Sequence, residues 1–117
     1  MSFTITGTRK GVSENRRLIP GRGRLVAGND YRDFKKYAWA LSKVEAAKND
    51  SPMIIGPAWA HIMMFDECRR PDVAAYVKPL LDAVQGSFYR NDHQIDRLLV
   101  ERIPEPGFWR MDVGAME

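Results

Sequence analysis

Residues 57–67 constrain the fold most. There Trp59, His61, Met63 and Phe65 project to one side of an extended chain, and Ala60, Ile62 and Met64 to the other. Side chains alternate along a strand, so apolar groups at both parities predict a strand with neighbours on either hand, inside a sheet. Other strands must flank it. Phe3-Thr4-Ile5-Thr6 alternates as an amphipathic strand does, and residues 95–103 and 108–113 read as two more, joined by the turn Pro104-Glu105-Pro106-Gly107.

Two segments carry helical periodicity instead. In residues 30–48, Phe34, Tyr37, Ala38, Leu41 and Val44 fall at i, i+3, i+4, i+7 and i+10. Asn29 or Asp30 caps the start, and Asn49-Asp50-Ser51-Pro52 ends the run. In residues 73–85, Val73, Val77, Leu80, Leu81 and Val84 make an apolar face, with Gly86 as the C′ residue. Pro79 lies past the first turn, where it removes a backbone hydrogen bond, so a kink or an irregular first turn is expected. Strand, loop, helix, strand, helix, strand, strand is the order of one α+β domain with a mixed sheet, spanning 1–117.

Residues 9–29 hold four glycines, a proline and six basic residues, and read as a long basic loop or a ragged hairpin. The charge is uneven. Residues 1–36 carry nine Lys/Arg against three acids, whereas the other 81 residues carry nine against twelve. A basic front beside a mildly acidic remainder suits a polyanionic partner and a cation-binding pocket. A solvated arginine-rich loop accounts for the charge equally well. Arg16-Arg17 and Arg22-x-Arg24 suit phosphate backbones and carry no base code.

Several classes fall away. Cys68 is the single cysteine, which removes a disulfide scaffold; with only two separated histidines, a zinc cluster goes too. No apolar run is long enough to span a bilayer, and the first residues lack a secretory pattern, so the cytoplasm is the expected compartment. A hydrophobic content of 44% argues against global disorder.

The chemistry concentrates in residues 69–94. Asp72 lies between a strand end and a helix start, and Asp92 between that helix and the next strand. A helix hairpinned between them can bring both carboxylates to one sheet edge, where converging acids suit Mg²⁺ or Mn²⁺. Arg69, Arg70, Lys78 and Arg90 would hold a phosphate beside the metal, an arrangement that describes phosphodiester hydrolysis. Plainer roles exist for each. Asp72 follows Pro71 and could cap a helix. Asp92 could be a turn residue. Lys78 and Asp82 stand i, i+4 and could be a surface ion pair. His93 reads as a solvated loop histidine, His61 as a hydrogen-bonded core or interface group, and the methionines as core filler. Phe88-Tyr89 and Phe108-Trp109 could stack on unpaired bases, with core or dimer packing the stronger reading.

The order Asp72…Lys78…Leu81-Asp82-Ala83…Gly86…Asn91-Asp92-His93-Gln94 resembles the RusA-type crossover-junction endodeoxyribonucleases. Their pattern runs approximately Asp-x-Asp-Asn-x-x-Lys-x-x-x-Asp-x-Leu, then, after a short gap, Asp-Asp-x-Gln before a strand. The close match covers about 69–100 and extends loosely back over the Tyr31-Arg32 helix and the basic loop. The resemblance implies a small homodimeric α+β enzyme of bacteria or bacteriophages. It would bind four-way Holliday junctions and cut two opposed strands symmetrically with Mg²⁺ or Mn²⁺. By position, Asp72 would be the first metal-binding acid, Asp92 the last, and Lys78 the lysine at the scissile phosphate. Arg16, Arg17, Arg22, Arg24, Arg69 and Arg70 would hold the junction arms.

One departure bears on activity. The family's second metal-binding acid falls at Ala74 and its following Asn at Ala75, while Asn91 replaces the first acid of the Asp-Asp pair. Either this is a relative that lost activity or recruits Asp66, Glu67 or Asp82, or an acid at 74 was replaced by alanine. Two rival readings remain open: a branched-DNA-binding protein with no catalysis, and a nuclease acting on flaps or other branched DNA.

Overall fold

The computed structural model describes residues 2–8, 18–21, 24–27, 29–50, 52–66 and 73–117. Its strands are β1 (Ser2–Gly7), β2 (Leu18–Gly21), β3 (Arg24–Ala27), β4 (Ala58–Phe65), β5 (Ile95–Ile103) and β6 (Trp109–Ala115). Its helices are α1 (Asn29–Asn49) and α2 (Val77–Ala83). The main sheet has the order β1-β6-β4-β5. β4 is therefore interior, as its two-sided apolar pattern requires. It pairs antiparallel with β6 and parallel with β5, making the sheet mixed and the domain α+β. β2 and β3, within the basic segment 9–29, form a separate antiparallel hairpin.

The Pro104–Gly107 turn does not close a hairpin. β5 and β6 flank β4 on opposite sides, so the connection passes over the end of β4. There Phe65 and Asp66 donate their N–H groups to the carbonyls of Phe108 and Glu105, at 2.9 and 3.1 Å.

The core lies on one face of the sheet. Phe3 and Ile5 of β1, Ala60, Ile62 and Met64 of β4, and Trp109, Met111 and Val113 of β6 are all buried there. The Trp109 indole receives Phe34 and Tyr37 of α1 edge-on, with centroids at 5.8 and 6.3 Å. Phe88, just beyond α2, stacks on Phe3 at 4.5 Å. Gly7 lies opposite Trp109 in the register, and a Cβ there would come within 2.1 Å of the indole nitrogen. The opposite face of β4, with Trp59, His61, Met63 and Phe65, is only half-buried.

Two helix details differ from the sequence reading, and a third bears it out. Val44 is 59% exposed, and buried Ser42 joins Phe34 and Ala38 on the inner face of α1. Turning 100° per residue, Val44 stands about 120° from the centre of the face that Phe34, Ala38 and Ser42 make. Ser42 replaces it because its hydroxyl is satisfied, by the Trp39 carbonyl at 2.6 Å and the Ser87 hydroxyl at 2.9 Å. The predicted 73–85 helix is a 3₁₀ turn at Val73–Tyr76 followed by α2, the irregular start that Pro79 imposes. α2 also ends early, with Val84 as its C-cap. Gly86, at φ +86°, serves the following turn instead of standing at C′. No helix among the described residues is long and apolar enough to cross a membrane.

Candidate functional site

The best-defined part of the candidate site is the turn carrying Asp92. Its scaffold begins at the end of α2. Buried Tyr89 returns its hydroxyl to the Leu81 carbonyl at 2.7 Å, satisfying one of the carbonyls a helix leaves open at its C-terminus. Gly86 N–H donates to the Tyr89 carbonyl at 2.7 Å, closing the turn that positive φ at Gly86 permits.

Residues Asp92–Gln94 then form one 3₁₀ turn. Asn91 caps it, its side-chain oxygen accepting the His93 N–H at 2.8 Å. Gln94 reaches back in the reciprocal capping-box contact, its Oε1 accepting from Arg90 N–H at 2.9 Å and Asn91 N–H at 3.0 Å. The same carboxamide presents Nε2 to the carbonyls of Ile54, Ile55 and Gly56, at 2.8, 3.0 and 3.0 Å. Gln85 Oε1 accepts the Asp92 N–H at 3.0 Å. The backbone of Asp92 is thus tied to the turn that follows α2, and the residues around it to the strand-entry loop 54–56.

The Asp92 side chain is half-exposed, and among the described residues no hydrogen bond or ion pair engages its carboxylate. That leaves a hard oxygen donor of the kind Mg²⁺ and Mn²⁺ prefer. Burial pushes the Tyr89 hydroxyl far above its usual range, and the negative charges of Asp92 and Asp82 push it further. Two acids therefore act on Tyr89. They are not equivalent, because Asp82 is paired with Lys78 at 3.5 Å and Lys35 at 3.7 Å. The i, i+4 contact that the spacing of Lys78 and Asp82 offered is present, and Lys35 of α1 is a second partner that spacing could not reveal.

Ala74 is exposed within the 3₁₀ turn before α2 and offers no ligand atom. Among the described residues no group of three His, Cys, Asp or Glu is arranged to hold a metal ion. Asp72, Arg16, Arg17, Arg22, Arg69 and Arg70 lie outside the described residues, as does Glu67. Arg24 opens β3 opposite Gly21. Asp66 is exposed at the end of β4, and His93 is exposed as a solvated loop residue should be. His61 Nε2 meets Glu101 Oε1 at 2.5 Å, the hydrogen-bonded role its position suggested. Phe88, Tyr89 and Trp109 are core residues, so they are not base-stacking platforms.

Two features went unread in the sequence. An open depression of about 230 Å³ is lined by Lys35, Lys36, Trp39, Asp82 and Ala83, combining cations with an exposed indole. A second, of about 290 Å³, lies beside the Asp92 turn between Met53, Ile55, Arg90 and Gln94, with Ile55 92% exposed at its rim. The lysines were visible as charge, but their convergence on Asp82 depends on how α1 crosses α2.

A comparison with curated proteins found no match. The family model described as endodeoxyribonuclease RusA matches residues 9–107, covering the basic segment, both helices, the Asp92 turn and β5. Given a match over most of its length, the chain belongs to the RusA endodeoxyribonuclease family.

Proposed function

We propose that this protein is a structure-selective nuclease for branched DNA, the four-way Holliday junction first, acting as a homodimer with Mg²⁺ or Mn²⁺. In this reading the alanine at 74 limits its catalytic strength. The family match carries the proposal, and the pinned Asp92 turn, whose carboxylate has no partner among the described residues, supports it. Asp72 and Asp92 would hold the cation, which supplies the Lewis acidity that phosphodiester hydrolysis needs. Lys78 would turn from Asp82 toward the phosphate and offset the charge that builds there. The Lys35–Asp82 contact leaves Asp82 partly neutralised when Lys78 moves. Arg16, Arg17, Arg22, Arg24, Arg69 and Arg70 would contact phosphates of the junction arms, so affinity falls steeply with salt. Recognition of the branch would rest on shape and deformability more than on base edges.

A second reading, binding without catalysis, is favoured by one observation: Ala74 brings no carboxylate to the site. A gel-shift and cleavage assay separates the two. The native chain and Ala74→Asp are compared on four-way junctions, flaps and linear duplex, with Mg²⁺ or Mn²⁺. The nuclease reading expects junction binding by both proteins and symmetric cutting that rises sharply in Ala74→Asp. Binding with no cutting by either protein under any divalent ion establishes the binding-only reading. Preferential cutting of flaps reassigns the substrate.

A further inference from the structure

We propose that β5 is the homodimer interface, two copies joining edge to edge, antiparallel, across a two-fold axis through Leu99. The inference deepens the homodimer reading above, and rests on it, by naming the surface.

β5 ends the main sheet, and among the described residues no strand pairs with its outer edge. An unpaired edge of nine residues presents a row of backbone donors and acceptors to any complementary strand. Natural edges are usually short, broken by Pro or blunted by inward charges. This one has no Pro, and Leu98 and Leu99 are 43% and 51% exposed, one on each face of the sheet.

The strand is complementary to itself. Its sequence, Ile-Asp-Arg-Leu-Leu-Val-Glu-Arg-Ile, read against its own reverse about Leu99, sets Ile95 opposite Ile103 and Asp96 opposite Arg102. It also sets Arg97 opposite Glu101, Leu98 opposite Val100, and Leu99 opposite itself. Every cross-strand pair is either apolar with apolar or acid with base, the combinations that stabilise antiparallel pairs. Neighbouring registers lose this. An axis through Val100 sets Leu99 against Glu101 and Leu98 against Arg102; one through Leu98 sets Asp96 against Val100 and Ile95 against Glu101.

Parity is also correct, since odd residues meet odd and even meet even, keeping both cores on one face of a continuous eight-stranded sheet. An isologous contact of this kind closes at two copies. Glu101 keeps one carboxylate oxygen on His61 and has the other for the partner copy's arginine. The pairing puts the two Asp92 turns at opposite ends of the shared ribbon, up to about 45 Å apart by strand rise, so each subunit addresses a separate arm.

Sedimentation velocity over a concentration series tests this with Arg97→Glu, Glu101→Arg, their 1:1 mixture and the double variant. Arg97→Glu alone faces acid with acid twice, and Glu101→Arg alone faces base with base twice. Each should weaken dimerisation at least about tenfold. The mixture restores opposite charges at both positions and should dimerise as heterodimers, and the double variant should dimerise like the native chain. Leu99→Lys, which sets two ammonium groups face to face on the axis, should be monomeric while keeping the native circular dichroism spectrum. Single variants that dimerise with native affinity, or a mixture that stays monomeric, overturn β5 as the interface and leave the homodimer reading standing. A native chain that sediments as a monomer throughout overturns both.

Discussion

Gln85 and Asp92 are joined by one hydrogen bond, from the Asp92 backbone N–H to the Gln85 side-chain oxygen at 3.0 Å. It ties the turn that carries the candidate acid to the end of α2, the helix that carries Lys78. Lys78 and Asp92, two of the charged groups proposed for the reaction, therefore share one support. Precision of that kind is what a metal-assisted site needs, because a displacement near 1 Å at the reacting groups costs rate heavily.

Gln94 is the other anchor, with contacts to two backbone N–H groups and three carbonyls. Gln94→Ala should destabilise the fold by about 2 kcal/mol, because partly buried backbone groups lose their partner. Urea unfolding checks this through a lowered midpoint at unchanged slope. Junction cleavage in the Ala74→Asp background should fall with it, even at temperatures where the variant is fully folded.

Asp92→Asn removes the proposed ligand charge and keeps the turn's shape. Its melting temperature should stay within a few degrees of native. Mn²⁺ binding, followed by calorimetry in the Ala74→Asp background, should be lost. Metal-free junction binding should remain within about threefold, since phosphate contacts dominate it. Unchanged Mn²⁺ affinity would remove Asp92 from the metal site.

Tyr89 gives the fold an alkaline limit. Its hydroxyl stays protonated in the folded chain far above the pH at which an unfolded tyrosine ionises, near 10. The unfolded state then binds fewer protons than the folded one, so stability is full below about pH 10 and declines as pH rises beyond it. Tyr89→Phe should cost about 1 kcal/mol at pH 7 by stranding the Leu81 carbonyl. It should also flatten the decline above pH 10. Denaturation midpoints from pH 7 to 11 for both proteins test the sign.

Gly7→Ala should be severe for a change of one methyl. The added Cβ would lie 2.1 Å from the Trp109 indole nitrogen, and that ring is held edge-on by Phe34 and Tyr37. A loss of about 3 kcal/mol is expected from overpacking. Thermal melts check it. Gly56→Ala, where a Cβ meets nothing within 4 Å, is the matched control.

Local pattern determined a large part of this protein. Alternation at Phe3–Thr6 and two-sided apolarity at Trp59–Phe65 specified an amphipathic strand and an interior one, because burial on a pleated chain depends only on parity. Pro79 foretold the irregular entry to α2 through its missing donor. The spacing from Asp72 to Lys78, Asp82, Asp92 and Gln94 carried the resemblance, and the family match over 9–107 bears it out. Tertiary structure alone decided the rest. No local rule says that β6 inserts between β1 and β4, which turns the Pro104–Gly107 connection from a hairpin into a crossing. None says that Lys35 of α1 reaches Asp82, that Gln94 spans to Ile54–Gly56, or that β5 is left at the edge. Those relations join residues far apart in the chain, and their energies exist only once the core has brought the elements together.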